Sequence, residues 1–157
     1  MNKKNIVFID GCRTPFLKSG TDYLNLMSYE LGQFAIKGLV QKTGLDPQEV
    51  DQVLMGTVIS NVQTSNVARE AALGAGIPNK AHCQTVTQAC ISANRAICNG
   101  INEILVGNAD VIIAGGVGSF EPRKLSLKEV EKFEGKSVFY LIKNKEIFKN
   151  KNISIFG

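Results

Sequence analysis

The stretch that decides the fold is residues 83–116, CQTVTQACISANRAICNGINEILVGNADVIIAGG. Its first part, Cys83–Thr87, predicts a buried strand, and Val111–Ala114, which is uniformly apolar, predicts another that Gly115-Gly116 breaks. Between them, apolar side chains recur at helical spacing from Cys90 to about Leu105. The predicted buried face of this helix consists of Ala93, Ile97, Ile101, Ile104 and Leu105.

Upstream of this stretch the same alternation of apolar strands and amphipathic helices is present. Ile6–Ile9 is a short apolar run and predicts a strand. Ser28 is placed to cap a helix that Gly44 ends. Asp46–Glu49 predicts about one further helical turn, because another strand pattern, Val53–Val58, follows it directly.

One more helix is predicted between Val58 and Cys83, with Thr64 or Ser65 as its cap. Its buried face is made of small side chains: Val67, Ala68, Ala71 and Ala72. The order is then βαβαβαβ, and continuous apolar strands that alternate with helices predict a three-layer α/β domain with a mainly parallel sheet.

We predict that this domain spans residues 1–120 and that an irregular tail rich in Lys, Asn, Ile and Phe spans residues 121–157. The tail contains Lys128–Glu134, which can form a short charged helix, and it holds nine Lys/Arg against five Glu, the whole of the net charge of +4. A basic tail can meet nucleic acid or a membrane surface, but no nucleic-acid motif accompanies it. A solvated, lysine-rich segment is therefore the preferred interpretation, with no nucleic-acid partner.

Targeting and redox signals are few. No apolar run reaches the ~18–20 residues of a membrane-spanning helix, and neither a signal peptide nor a transit peptide is visible. The four cysteines, Cys12, Cys83, Cys90 and Cys98, match no zinc-ligand spacing, so no metal site is predicted. A disulfide framework is not expected, and reduced thiols indicate a cytosol-like compartment.

Cys90 is the candidate nucleophile, because the pattern places it where a strand ends and a helix begins. The unpaired N–H groups of a first helical turn can face the sulfur, the helix dipole favours a thiolate, and the same N–H groups can hold an oxyanion. A small buried hydrophobe is the alternative role for Cys90, and it is the preferred one for the other three cysteines. His82, the only histidine, could act as a base only if it faced Cys90.

Five segments make the sequence recognisable as one that resembles the thiolase family over about residues 6–117. They are Ile6–Phe16, Gly56–Val58, Asn66–Leu73, Gln88–Asn94 and Ala109–Val117. Two stretches, Thr64–Gly76 (TSNVAREAALGAG) and Ala89–Asn94 (ACISAN), are especially similar to long-chain 3-ketoacyl-CoA thiolases that form the beta subunits of mitochondrial complexes.

The resemblance implies a thiolase-like N-terminal domain and acyl transfer between coenzyme A thioesters in fatty-acid β-oxidation. Cys90 matches the residue that carries the acyl group, and its backbone N–H would contribute to the oxyanion hole. Coenzyme A is then a substrate, and no cofactor is implied. The resemblance also implies a thiolase homodimer or a hetero-oligomer with a hydratase/dehydrogenase alpha subunit. It places the protein in the mitochondrial matrix, with the cytoplasm as the alternative.

The sequence departs from the family pattern after the first half. The family's later Asn, His and second Cys motifs are not found in context. Cys98-Asn99-Gly100 and Asn102-Glu103 match two of them by letters but lie inside the predicted helix. Gly118-Ser119-Phe120 stands where the family commonly has Glu-Ser/Leu-Met. We expect a truncated copy that is inactive alone. The alternatives are a non-catalytic thiolase half with a binding or structural role, and a relative of the β-ketoacyl synthases.

Overall fold

The computed structural model describes residues 6–18, 20–60 and 62–118, which lie within one compact unit, Met1–Ser119. The predicted domain boundary at residue 120, the tail 121–157 and the charged helix at Lys128–Glu134 lie outside the described residues. The helices of the described residues are α1 (Ser28–Thr43), α2 (Val67–Gly74) and α3 (Ser92–Val106), and their strands are β1 (Gln52–Gly56), β2 (His82–Val86) and β3 (Ile112–Gly116). None of these helices is long and apolar enough to cross a bilayer.

The three strands form a parallel sheet in the order β2-β1-β3. All five residues of the central strand β1 are buried, as expected for a strand that is covered on both faces. Val53 and Met55 pack with Ile36 of α1 and Ala68 of α2. Because side chains alternate along a strand, Leu54 and Gly56 face the other side, where α3 lies. The predicted three-layer α/β architecture with a parallel sheet is confirmed.

The first predicted strand, Ile6–Ile9, is wrong. Residues 6–18 form neither helix nor strand, and Val7, Phe8 and Ile9 are 73%, 76% and 81% exposed. A strand needs a neighbour to accept and donate its backbone hydrogen bonds, and these residues pair with neither of the open outer sides of the sheet, those of β2 and β3. No strand among the described residues pairs with this segment, so its apolar character alone does not make it a strand.

The start of α1 differs by one residue from the prediction, and its end is confirmed. The cap is Met27 rather than Ser28, and the Glu30 carboxylate accepts the Met27 N–H at 2.6 Å. Gly44 ends the helix in the left-handed conformation, with φ of +68°. The single turn predicted at Asp46–Glu49 is confirmed as the 3₁₀ turn Pro47–Glu49.

The predicted cap of α2 is also wrong. Asn66, not Thr64 or Ser65, caps this helix, because its Oδ1 accepts the Arg69 N–H at 3.0 Å. The Asn66 Nδ2 donates to the carbonyl of Cys83 at 3.1 Å, which ties the helix start to β2. An amide both accepts and donates, so Asn can serve the helix and the sheet together. The small buried face predicted for α2 is confirmed.

Helix α3 and strand β3 were placed correctly but their details differ. The helix begins at Ser92 instead of Cys90, and its buried positions are Ser92, Ala96 and Gly100. Of the predicted face, Ala93 and the three isoleucines are half-buried and Leu105 is exposed. Gly115 and Gly116 lie inside β3 and do not break it. Small residues replace the expected large ones because α3 packs very closely against the sheet.

Candidate functional site

Cys90 lies in the turn between β2 and α3, at the edge of the sheet where the parallel strands end. Its side chain is exposed. The preceding residue, Ala89, has a φ of +46° and is the one non-glycine residue with positive φ in the described part of the chain. Such a conformation is unfavourable for a residue with a Cβ and persists only where surrounding contacts enforce it. The turn that carries Cys90 is therefore held by its neighbours.

The contacts that enforce the turn come mainly from Ser92, which is 3% exposed. Its hydroxyl accepts the N–H of Gln88 at 2.7 Å and donates to the carbonyl of Ala89 at 2.7 Å. The Ser92 N–H donates to the same carbonyl at 3.1 Å, and the Ile91 N–H donates to the carbonyl of Gln88 at 3.2 Å. Four hydrogen bonds thus close the chain around Ala89 and Cys90.

Two glycines allow α3 to start directly on the strand ends. A Cβ on Gly56, the last residue of β1, would lie closer than 3.0 Å to backbone atoms of Ser92 and Ala93. A Cβ on Gly116, the last residue of β3, would meet the Ala93 side chain just as closely. Real Cβ atoms essentially never approach other atoms that closely. The absence of side chains at these two positions allows the first residues of α3 to lie close to the ends of β1 and β3. This close approach determines where Cys90 lies.

Hydrogen bonds also connect the residues that follow the ends of β1, β2 and β3, next to the Cys90 turn. The Thr87 hydroxyl donates to the carbonyl of Thr57 at 3.0 Å, and the Thr57 N–H donates to the carbonyl of Val86 at 2.9 Å. Val117 donates its N–H to the carbonyl of Gly56 at 2.8 Å. The segments that follow β1, β2 and β3 are therefore connected to one another around the Cys90 turn.

The backbone N–H groups near the sulfur differ in their availability. The expectation that the first helical turn presents free N–H groups to Cys90 holds only in part, because Ile91 and Ser92 use theirs inside the turn. The N–H of Cys90 itself has no acceptor within the described residues. This N–H group is therefore the donor of the turn that is available to a ligand carbonyl.

The structure does not bring His82 to Cys90. His82 is the first residue of β2, whereas Cys90 follows the last, and five residues of strand span roughly 13 Å at ~3.3 Å per residue. His82 instead borders a shallow cavity at the opposite edge of the sheet, together with Val50, Asp51, Gln52, Lys80 and Asn108. A base for Cys90 is not supplied by this histidine.

The perturbed carboxylates also lie away from Cys90. Backbone N–H groups of Val111 and Asp110 donate to the Asp51 carboxylate and lower its pKa. Hydrogen bonds from Asn108 and Gln52 lower the pKa of Glu103 in the same part of the molecule. The Asp51 bonds join the loop before β3 to the residue before β1, and the Gln52–Glu103 bond joins β1 to α3. These bonds therefore stabilise the fold at the end of the sheet opposite to Cys90.

The other three cysteines are not the buried hydrophobes that the sequence predicts. Cys12 is exposed in the N-terminal segment, where its thiol donates to the carbonyl of Ala35 at 3.0 Å. Cys83 is half-buried in β2, and Cys98 is exposed on α3. All four cysteines are free thiols. Among the described residues, no group of three or more His, Cys, Asp and Glu side chains is arranged to hold a metal ion.

The sequence points to Cys90 as a candidate but does not reveal which residues hold its turn. Ser92, Ala89 and the two strand-ending glycines, Gly56 and Gly116, form the turn but carry no strong local signal. A serine two positions after a cysteine at a helix start is the one clue that the sequence offers for Ser92. The glycines could only be understood once the sheet order had placed both strand ends beneath α3.

The chain is similar to known proteins in both sequence and structure. The sequence profile of the family described as "Thiolase, N-terminal domain" matches residues 6–137. The mitochondrial trifunctional enzyme subunit beta of Homo sapiens is 53% identical over 116 residues, which are 74% of this chain and 24% of that protein. A probable 3-ketoacyl-CoA thiolase of Caenorhabditis elegans is 52% identical over 116 residues, 74% of this chain and 26% of that one. The chain therefore spans about a quarter of the length of these curated relatives.

Two solved structures share the fold. The acetyl-CoA acetyltransferase of Bacillus anthracis aligns with a TM-score of 0.63 and 32% identity, over 71% of this chain and 29% of that one. A thiolase of Ascaris suum in complex with coenzyme A aligns with a TM-score of 0.60 and 26% identity, over 62% of this chain and 26% of that one.

Proposed function

The chain belongs to the thiolase family, and from that premise we propose that it supplies the acyl-accepting part of a 3-ketoacyl-CoA thiolase with Cys90 as the nucleophile. The Cys90 sulfur attacks the 3-keto carbon of a 3-ketoacyl-CoA. The bond between C2 and C3 breaks, C2 takes a proton, and acetyl-CoA leaves while the acyl group stays on sulfur as a thioester. The thiol of a second coenzyme A then attacks this thioester and releases the shortened acyl-CoA.

The observation that carries the proposal is the exposed Cys90 thiol in the enforced turn at the carboxyl edge of the sheet. Ligands of α/β sheets bind at the carboxyl ends of the strands. A thiol held there can form a covalent intermediate, and a backbone N–H beside it can stabilise the oxyanion that forms at the attacked carbonyl. Cys90 provides both groups from one residue.

Coenzyme A and acyl-CoA are the proposed ligands, and no further cofactor is required by this chemistry. The human relative is by name a mitochondrial protein, and the solved thiolase of Ascaris suum is a complex with coenzyme A. These names support a place for the present protein in mitochondrial fatty-acid β-oxidation.

The proposed partners are a second thiolase chain or a hydratase/dehydrogenase alpha subunit. Large apolar side chains are exposed on the described residues, among them Phe8, Phe16 and Phe34, which are 76%, 88% and 51% exposed. Exposed apolar side chains of this size can serve as interaction sites when they lie together, and without a partner to cover them they promote association. We expect the isolated chain to self-associate in light scattering. A monodisperse monomer that unfolds in one cooperative step would contradict this.

The test of Cys90 is acylation by acetyl-CoA, an exchange in which the acetyl group moves to the cysteine and coenzyme A is released. Peptide mass mapping should place the acetyl group on Cys90. The matched variants are Cys90→Ser, which should abolish it, and Cys98→Ser, which should not. Brief labelling with limiting iodoacetamide should also modify Cys90 before Cys12 and Cys98. Because those two thiols are exposed as well, equal labelling of all three would refute a special role for Cys90.

Turnover should not follow acylation in the 157-residue chain alone. A full cycle needs one group to take the cysteine proton and another to protonate the leaving carbanion, and loss of a positioned acid or base costs about 10²–10⁴-fold in rate. His82 is at the wrong edge of the sheet to act as either. Thiolysis of acetoacetyl-CoA, followed at its enolate absorbance, should therefore stay at the level of Cys90→Ser. Sustained turnover that this substitution removes would overturn the proposal of inactivity.

A further inference from the structure

We propose that Ser92 is the positioning residue that orients the peptide unit between Ala89 and Cys90, so that the Cys90 N–H faces the acyl carbonyl. This inference rests on the proposed role of Cys90 as the acyl acceptor. It assigns to Ser92 a task in oxyanion stabilisation that it performs through Cys90, without contact to the substrate.

The direction of the Ala89 carbonyl determines the direction of the Cys90 N–H. The carbonyl oxygen of Ala89 accepts both the Ser92 hydroxyl, at 2.7 Å, and the Ser92 N–H, at 3.1 Å. In a trans peptide the C=O and the N–H of one unit point in opposite directions. Because Ser92 holds this carbonyl toward the start of α3, the Cys90 N–H in the same unit points away from the helix start.

The Ser92 side chain also binds the backbone before Ala89. Its hydroxyl also accepts the Gln88 N–H at 2.7 Å, so it bridges the backbone on both sides of the positive-φ residue Ala89. Ser92 is 3% exposed, and water does not replace it easily. Without the hydroxyl, the Gln88 N–H loses its acceptor. The Ala89 carbonyl also loses the hydrogen bond from the Ser92 side chain, which helps to hold Ala89 in its strained conformation. The peptide can then rotate and present its carbonyl, rather than its N–H, to a ligand.

The test compares two reactions of the same thiol in the full chain. Acetyl transfer from acetyl-CoA passes through an oxyanion, whereas alkylation by iodoacetamide does not. Removal of one oxyanion donor costs about 10²–10³-fold, so Ser92→Ala should slow acetylation of Cys90 by roughly 10²-fold. Alkylation should continue at close to the parent rate. Ser92→Thr keeps the hydroxyl and should restore most of the acetylation, and Ser60→Ala, at an exposed loop serine, should change neither reaction.

Two results would overturn the role of Ser92. The first is acetylation of Ser92→Ala at the parent rate. The second is an equal loss of acetylation and alkylation, which would show that the hydroxyl only supports the fold. A parent chain that takes no acetyl group from acetyl-CoA would instead refute the proposed function.

A measurement on the unsubstituted chain tests the orientation of the peptide directly. It applies even if acetyl-CoA does not acetylate the chain or if Ser92→Ala does not fold. Amide hydrogen exchange followed by NMR should find the Gln88 N–H protected and the Cys90 N–H exchanging freely. A protected Cys90 N–H, or an unprotected Gln88 N–H, would overturn the proposed orientation of the peptide.

Discussion

Substitution of Gly56 by alanine is the sharpest test of how the sheet positions Cys90. The added Cβ would lie closer than 3.0 Å to backbone atoms of Ser92 and Ala93. Backbone cannot rotate away as a flexible side chain can, so the first turn of α3 must move off the sheet. Overpacking of this kind costs about 1–3 kcal/mol, a large part of the ~5–15 kcal/mol that stabilises an ordinary domain.

The assay is urea unfolding at low protein concentration, followed by circular dichroism. A loss of about 2 kcal/mol at an m-value of roughly 1–3 kcal/mol per molar lowers the urea midpoint by about 1 M. Gly115→Ala is the matched control, because Gly115 lies in the neighbouring strand and a Cβ there meets nothing within 4 Å. Acetylation of Cys90 should fall in Gly56→Ala and not in Gly115→Ala. Equal unfolding midpoints for the two variants would refute the close-packing argument.

Two further predictions concern the attachment of α2 and the acid response. Asn66→Ala should destabilise the chain by about 1–2 kcal/mol, because the hydrogen bonds of Asn66 to the Arg69 N–H and to the Cys83 carbonyl are lost together. Ser65→Ala should be nearly neutral in the same urea assay. A larger loss of stability in Ser65→Ala than in Asn66→Ala would show that Ser65 is the cap. The two backbone N–H donors before β3 lower the pKa of Asp51 in the folded chain. The ionised Asp51 therefore stabilises the folded state at pH values above its unfolded pKa, which is near 4, and this stabilisation is lost as the pH falls through the lower folded pKa. The urea midpoint should therefore fall on acidification below about pH 4, and fall less in Asp51→Asn; identical pH profiles would contradict this.

Local chemistry made part of the fold predictable from the sequence. Gly44 ends α1 because a left-handed residue is needed there, and Asp46 caps its single turn because its carboxylate reaches the Gln48 N–H at 2.9 Å. These outcomes depend on residues that are near one another in the chain. The small buried face of α2 and the apolar β1 were predictable for the same reason, since periodicity is a local property.

The errors come from contacts between distant parts of the chain. Ile6–Ile9 has the composition of a strand, but composition cannot supply a neighbouring strand. Asn66 was overlooked because half of its role is a bond to Cys83, 17 positions later. The candidate site followed the same rule. Cys90 could be named as a candidate from its local position, whereas the closeness of Gly56 to Ser92, and the turn that it permits, could not be predicted.

The order of the strands has a consequence for how the chain is made. In the sheet, Val53 of β1 lies beside Cys83 of β2 and Ile113 of β3, which are 30 and 60 positions further along the chain. A ribosome that adds about 5–20 residues per second needs roughly 3–12 s to pass from Val53 to Ile113. During that interval the most buried of the three described strands has been synthesised and one of its two neighbours has not. Until Ile113 is added, the apolar residues of β1 therefore lack part of the sheet that covers them.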